Sequence, residues 1–277
     1  LVTDVGGARI RATNRLIINS ATIAGTVRLS DTGEHIIIRD LTAAAAEIDA
    51  NEMLSMTNVN VTGDLNADAG TTIVINGVVT GNNISLASAD IDIDTRSGRV
   101  GTSGVTQALS VQNNDDENQT FVGGTGARDG FHIDAAELTR LFGTAIEIFA
   151  PEVRAFSSAS LGGTSPPDIV VDTFTITGGA QGSNLGANGA LTITTPGKMR
   201  VLGNVQLTGL SDGNALNLVA DNALEVILGQ GTVRLLGANN APGGVLNMES
   251  DDIIVATPAA ITDVANATSM AVINSRL

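Results

Sequence analysis

The sequence predicts an all-β chain wound as a parallel β-solenoid, with about three short strands per rung. Three observations predict it. The first is a series of short alternating segments between Gly189 and Thr257. Ala190-Leu191-Thr192-Ile193, Met199-Arg200-Val201-Leu202 and Val205-Gln206-Leu207 are followed by Ala215-Leu216-Asn217-Leu218, Leu224-Glu225-Val226-Ile227-Leu228 and Val233-Arg234-Leu235. The series starts a third time at Val245-Leu246-Asn247-Met248 and Ile253-Ile254-Val255. Each segment is bounded by Gly, Asn, Asp or Pro, and units recur about every 25–30 residues, as in stacked repeats.

The second observation is composition. The 277 residues include no Trp, no Tyr, six Phe and 32 Gly. Compact cores lean on large aromatic anchors. A narrow interior of stacked Val, Ile and Leu does without them. The third is a verbatim repeat: Gly-Thr-Val-Arg-Leu occupies 25–29 and again 231–235. In both copies the two-residue period of a strand sends Val and Leu to one side and Thr and Arg to the other. Common repeat ancestry of the two ends is the expectation.

The elements follow in order. Arg15-Leu16-Ile17-Ile18, Gly25 to Leu29 and His35 to Arg39 read as three strands, with Asp31-Thr32-Gly33-Glu34 as a turn. Ala46 to Asp49, Asn58 to Val61 and Thr72 to Ile75 continue the rhythm. In the segment from Ile84 to Asp94, Ile84 and Leu86 share one parity and Ile91 and Ile93 the other. The face therefore switches near Ser88-Ala89, which predicts a corner or bulge.

Residues 113–167 differ and read as an insertion or specialised rung within one continuous solenoid spanning 1–277. Five of the six Phe lie there: Phe121, Phe131, Phe142, Phe149 and Phe156. A short helix is predicted over 134–142. Asp134 is its N-cap, Glu137 completes a capping box, and Gly143 ends it. Leu138, Leu141 and Phe142 give it an apolar stripe. Glu152 to Phe156 reads as a strand, 157–167 as a loop, 168–177 as strand and 178–189 as a long connection. A stack of about ten to thirteen rungs would make a rod roughly 50–60 Å long.

Charge excludes one class of partner. With 14 basic and 29 acidic residues the net charge is −15, and nucleic acid demands basic stripes. No Cys is present, so a disulfide scaffold is excluded. No apolar run reaches the roughly 18 residues of a membrane helix. The chain starts at Leu1 without a signal peptide and stops without a closing element. It reads as a mature product or, by preference, a piece of a longer chain.

The phrases Gly81-Asn82-Asn83-Ile84-Ser85-Leu86-Ala87-Ser88 and Gly203-Asn204-Val205-Gln206-Leu207 carry a resemblance. So does Phe131 to Leu141 followed by Thr144-Ala145-Ile146-Glu147-Ile148. These segments resemble filamentous-haemagglutinin-type exoproteins and autotransporter passenger domains of Gram-negative bacteria. The resemblance covers most of the chain through texture, without an Asn-Pro-Asn-Gly signature or a C-terminal barrel segment. It implies a right-handed parallel β-helix, export across the outer membrane, an extracellular or cell-surface location, and a role in adhesion or matrix building.

Candidate chemistry is sparse. Asp90, Asp92 and Asp94 lie on one face of a strand and, with Asp115, Asp116 and Glu117, present oxygen ligands of the kind calcium takes. One strand cannot wrap six ligands around an ion, so a solvated face is the simpler reading. Gly123 to Gly130 is similar to a calcium-binding nonapeptide, but Asp129 falls one residue late, and without a Lys it fails as a phosphate loop. It reads as a turn. Asp251-Asp252 is a carboxylate pair without hydrolase companions, on residues that face opposite ways. His35 and His132 are the only histidines and lie far apart; they read as structural or exposed. No Gly-x-Ser-x-Gly elbow supports a nucleophilic triad.

No catalytic, cofactor or metal residue is therefore assigned. The expected function is a non-enzymatic β-helical shaft of a bacterial surface exoprotein, serving adhesion, cell–cell contact or fibre assembly. Its expected partners are copies of itself or the rest of a longer chain stacked end to end, and a host or neighbouring-cell surface. Two alternatives belong to other classes. A glycan-active enzyme or phage tail-fibre module would show a cleft with two carboxylates on adjacent rungs. A calcium-dependent surface-layer protein would respond to EDTA. The interruption at 113–167 is where specific contacts are expected first.

Overall fold

The computed structural model describes residues 2–3, 6–126, 128–154, 166–179, 182–227, 232–237 and 243–256. The chain is nearly all β, with 64% strand and 2% helix. Every strand pairing among the described residues is parallel, and the strands form sheets of 17, 6 and 3 members. No described helix is long and apolar enough to cross a membrane.

The pairings of the first half follow three ladders. In one, residues 15–18 pair with 35–38, these with 53–56, then 72–75 and 90–93. In the second, 2–3 pair with 22–23 and 21–23 with 41–43, then 59–61 and 79–80, with 78–79 pairing in turn with 99–100. The third joins 8–12, 27–31, 46–50, 65–69 and 83–88. It then runs on through 108–113, 145–149, 190–195, 215–220 and 245–249. The strand His35–Ala50 serves all three ladders in turn, with 35–38, 41–43 and 46–50. Ten segments stacked at roughly 4.8 Å make the third ladder about 45 Å deep.

The repeat length corrects the expectation. In this half the register partners Arg28 and Glu47 lie 19 residues apart, and Asp64 and Asn83 repeat that spacing. The expected longer spacing holds only later, where Thr192 and Asn217 are 25 residues apart and Asn217 and Asn247 are 30. The two Gly-Thr-Val-Arg-Leu copies also part company. Val27 and Leu29 face inward in the third ladder. Val233 and Leu235 pack on the core from the three-stranded sheet, paired with Val205 and Leu207. Both copies keep the predicted facing, but they occupy different sheets. Gly231 lies outside the described residues.

In-register parallel pairing places inward residues above one another. Ile36, Leu54, Ile73 and Ile91 form one buried column, and Ile38, Met56, Ile75 and Ile93 the next. The expected face switch is present: Asn83–Ser88 and Asp90–Ile93 are separate strands meeting at Ala89. Ser88, buried at the corner, donates to the Asp90 carbonyl at 2.6 Å. Backbone crosses closely at other corners. A Cβ on Gly25 would collide with the Gly6 carbonyl oxygen, so no side chain is permitted there.

The helix is shorter than predicted, Ala135–Leu138, with Thr139 rather than Gly143 ending it. Gly143 instead opens the strand Gly143–Phe149. Leu138 and Leu141 are buried as expected, but Leu141 bridges to Val100 as a strand residue. Glu152 and Val153 belong to no strand, and 155–165, with Phe156, lie outside the described residues. The strand Leu185–Thr195 takes up the end of the expected 178–189 connection.

The columns set the stability of the sheet. Ile38→Ala, which opens a cavity between Ile18 and Met56, is expected to cost about 2–5 kcal/mol in chemical denaturation. Arg28→Ala, removing an exposed ion pair to Glu47, is expected to leave the denaturation midpoint nearly unchanged.

Candidate functional site

Charged side chains meet around the buried Glu225, which Lys198 and Arg200 hold at 2.7 and 2.6 Å, and at two places that bear on function. The first is the outer face of the third ladder. Side chains that alternate with the buried columns stand outward in register: Arg9, Arg28, Glu47 and Asn66 in one file, and Arg11, Ser30, Asp49 and Asp68 beside it. All but Arg11 line an open groove that continues to Ser85 and Gln112. Arg28 grips Glu47 through both oxygens, at 2.6 and 2.9 Å. This pair holds the Glu47 carboxyl below its ordinary range, chiefly through the hydrogen bond. Asp68 goes the other way: partial burial pushes its carboxyl up, and the neighbouring Asp49 charge adds to it.

The second place is a seam between the short repeats and the long ones. Residues 120–122 pair on one side with 131–133 and on the other with 169–171. The later strand 131–133 thus packs against Asp90–Ile93, out of chain order. No backbone ladder joins these two among the described residues. Two carboxylates bridge them instead. Asp90 accepts from the His132 N–H at 3.3 Å, and Glu137 accepts from the Ile93 N–H at 2.8 Å.

Glu137 has a double duty. Its other oxygen accepts from the Asp134 N–H at 2.8 Å, closing the predicted capping box, while Asp134 accepts from the N–H groups of Ala136 and Glu137. One carboxylate caps a helix and ends a strand. Burial pushes its pKa up to about 7, against the two N–H donors, and the charges of Asp134 and Asp92 add to the rise. Burial also raises Asp90, although the His132 N–H opposes it.

The residues singled out from sequence disperse. Asp92 is exposed. Asp94 accepts from Ser97 Oγ and the Arg96 N–H, at 2.5 and 2.9 Å, which holds its carboxyl below the usual range. Asp115 closes a local turn onto Glu117 and Asn118, and Asp116 pairs with Arg154 at 2.5 Å. Among the described residues no three of His, Asp or Glu meet in a metal-holding group. Gly123, Gly124, Gly126 and Gly130 all take positive φ and form a turn between residues 122 and 131. Arg128 beside them pairs with Asp172 and lies over Phe121, 4.9 Å from the ring centre. His132 is buried, 3.0 Å from the Gly123 carbonyl, and stands edge-on to Phe121. His35 sits on a different strand. Asp251 and Asp252 are exposed at the strand Asp252–Ala256.

Sequence reasoning missed the groove, the stacked Asp49–Asp68 pair and the second role of Glu137. The pair had a signal. Glu47-Ile48-Asp49 and Asn66-Ala67-Asp68 match at the spacing that separates Arg28 from Glu47, below the period assumed. Glu137 had none, because Ile93 is 44 residues away. Two buried asparagines were missed as well. Asn184 donates to the carbonyls of Thr139 and Leu141, and Asn214 to those of Gly186 and Gly189.

Compared with known proteins, the chain matches no family model, no curated protein and no solved structure.

The seam makes stability depend on pH. The folded state holds the Glu137 proton more tightly than the unfolded chain does, where the pKa is near 4.5. Its contribution is therefore complete below about pH 4.5 and is lost as pH rises to about 7, on the order of 3 kcal/mol. Denaturation midpoints are expected to rise across that window on acidification. Glu137→Gln, which removes the titrating group and keeps one of its two acceptor oxygens, is expected to flatten the rise.

Proposed function

We propose that the three ladders coil as one continuous right-handed β-solenoid over 1–277, and that the chain is a non-enzymatic structural shaft. The observation that carries this reading is the third ladder. It keeps parallel register from Ala8 to Glu249, through repeats of unequal length. Aliphatic columns run along its inner side; of the two outward files, the one from Arg9 to Asn247 is polar throughout and the one from Arg11 to Glu249 is mixed, with Ala87, Phe149 and Val219. Such an arrangement satisfies the backbone internally, each repeat against its neighbours.

The resemblance to filamentous-haemagglutinin-type exoproteins supports a location outside a bacterial cell and a role in adhesion, cell–cell contact or fibre assembly. The outer file ends in hydrogen-bonded stacks, Asn247 to Asn217 and Asn217 to Thr192, at 2.7 and 3.0 Å. They support a surface that gains strength by repetition. The strand edges are the natural points for joining copies of the chain or further segments of a longer one.

A second reading, a glycan-active enzyme, has one observation in its favour. Asp49 and Asp68 are register partners in an open groove, one of them with a raised pKa. Neighbouring strands stand about 4.8 Å apart, short of the roughly 6.5–9.5 Å that inversion needs and near the separation of a retaining pair.

Small-angle scattering on the purified chain is expected to give an elongated particle; a compact globule would sink the shaft. Incubation with acidic and neutral polysaccharides is expected to release no reducing ends or unsaturated products. Release that disappears in both Asp49→Asn and Asp68→Asn would replace the shaft with the enzyme.

A further inference from the structure

The first strands leave one backbone edge open. Residues 8–12 pair with 27–31, and 15–18 with 35–38; among the described residues nothing pairs on their other side. The last described strands do the same: 245–249 pair there only with 215–219, and 252–256 only with 223–227. An open edge is a template for another strand.

The two edges carry opposite charge. From Leu1 to Arg39 the chain carries Arg9, Arg11, Arg15, Arg28 and Arg39 against Asp4, Asp31 and Glu34, although acids outnumber bases overall. Arg9, Arg11 and Arg15 stand exposed on the opening strands. The closing strands and their link carry Glu249, Asp251 and Asp252, all exposed, and no basic residue.

Register decides which residues would meet. In the third ladder the inward columns run from Ala8 to Leu246 and from Ile10 to Met248, and an outward file runs from Arg11 to Glu249. A second copy that continues these columns brings its Ile10 onto Met248 and its Arg11 onto Glu249. The neighbouring strand keeps step. Ile253 and Val255 end the columns of Met199–Leu224 and Val201–Val226. Continuing them brings Leu16 onto Ile253, Ile18 onto Val255 and Arg15 onto Asp252. Ile17, among the few large apolar side chains left exposed at 39%, falls on Ile254. A slip of one residue turns the apolar columns outward. A slip of two moves Arg15 off Asp252. One register thus satisfies both the apolar columns and the charges on two adjacent strands.

We propose that each open edge is a docking surface for a second copy of this chain. The copies stack head to tail in parallel register, with Arg11–Glu249 and Arg15–Asp252 as the ion pairs that set it. The inference rests on the reading of the ladders as one continuous shaft. The contact is heterologous and does not close on itself, so repetition gives a filament.

Charge reversal tests it by sedimentation of the full chain over a concentration series. The unaltered chain is expected to associate in proportion to concentration, and less in high salt, which screens the pairs. The double variant Arg11→Glu/Arg15→Asp and the double variant Glu249→Arg/Asp252→Arg each face like charge. Each is expected to associate roughly tenfold or more weakly. Circular dichroism and melting establish that both are folded. Mixed one to one, they present complementary edges again, and association is expected to return. A chain that stays monomeric at every concentration overturns the proposal. So do single-edge variants that assemble like the parent, and folded variants that do not rescue each other. An elongated particle that fails to associate defeats this inference alone, whereas a compact particle defeats the shaft reading.

Discussion

Parallel, in-register backbone pairing is the constraint on which the rest of this protein depends. Once residue 27 is bonded beside residue 46, and 46 beside 65, every side chain has a neighbour of the same parity above and below it. Each inward position must then match its neighbours in size and polarity. This is why Ile, Leu, Val and Met fill most of the core, with Phe131 and Phe174 the two aromatic side chains buried in it among the described residues. It is also why glycine sits where one turn of chain crosses another, as Gly25 does against Gly6.

The same constraint makes a change of repeat length difficult, and the seam near Glu137 is where it is met. Strand 131–133 enters the stack out of chain order and leaves two backbone donors at the junction without strand partners. The carboxylates of Asp90 and Glu137 accept those bonds. A buried N–H without an acceptor would cost about 1–3 kcal/mol, so the charged groups stabilise the junction even though burial disfavours their ionised form. The proton that relieves this conflict is the source of the pH dependence. Farther along, Asn184 and Asn214 do comparable work without charge, Asn184 tying the carbonyls of Thr139 and Leu141 and Asn214 those of Gly186 and Gly189.

The outer surface follows from the inner one. Alternation hands every second residue to solvent, and register turns those residues into files. Opposite charges then meet side by side, as in Arg28–Glu47. Like charges meet too, as in Asp49–Asp68. A groove with acidic and basic lining arises here without any motif in the sequence.

What the sequence determined by itself was local. The alternation of Ile84-Ser85-Leu86 against Ile91-Asp92-Ile93 dictated two strands and a corner, because side-chain period and backbone pleat are the same thing. Asp134 and Glu137 dictated a helix start, because a capping box needs only a few consecutive positions. The tertiary structure decided everything that depends on which strand lies beside which. It shortened the early repeat to the spacing of Arg28 and Glu47, put the two Gly-Thr-Val-Arg-Leu copies in different sheets, and cut the helix to one turn by drawing Leu141 into a bridge with Val100. It stacked Asp49 on Asp68 and sent Glu137 to Ile93. The physical reason is that strand pairing is a long-range choice among many similar aliphatic segments. Their local propensities are nearly equal, so only the closing of the whole core selects one register.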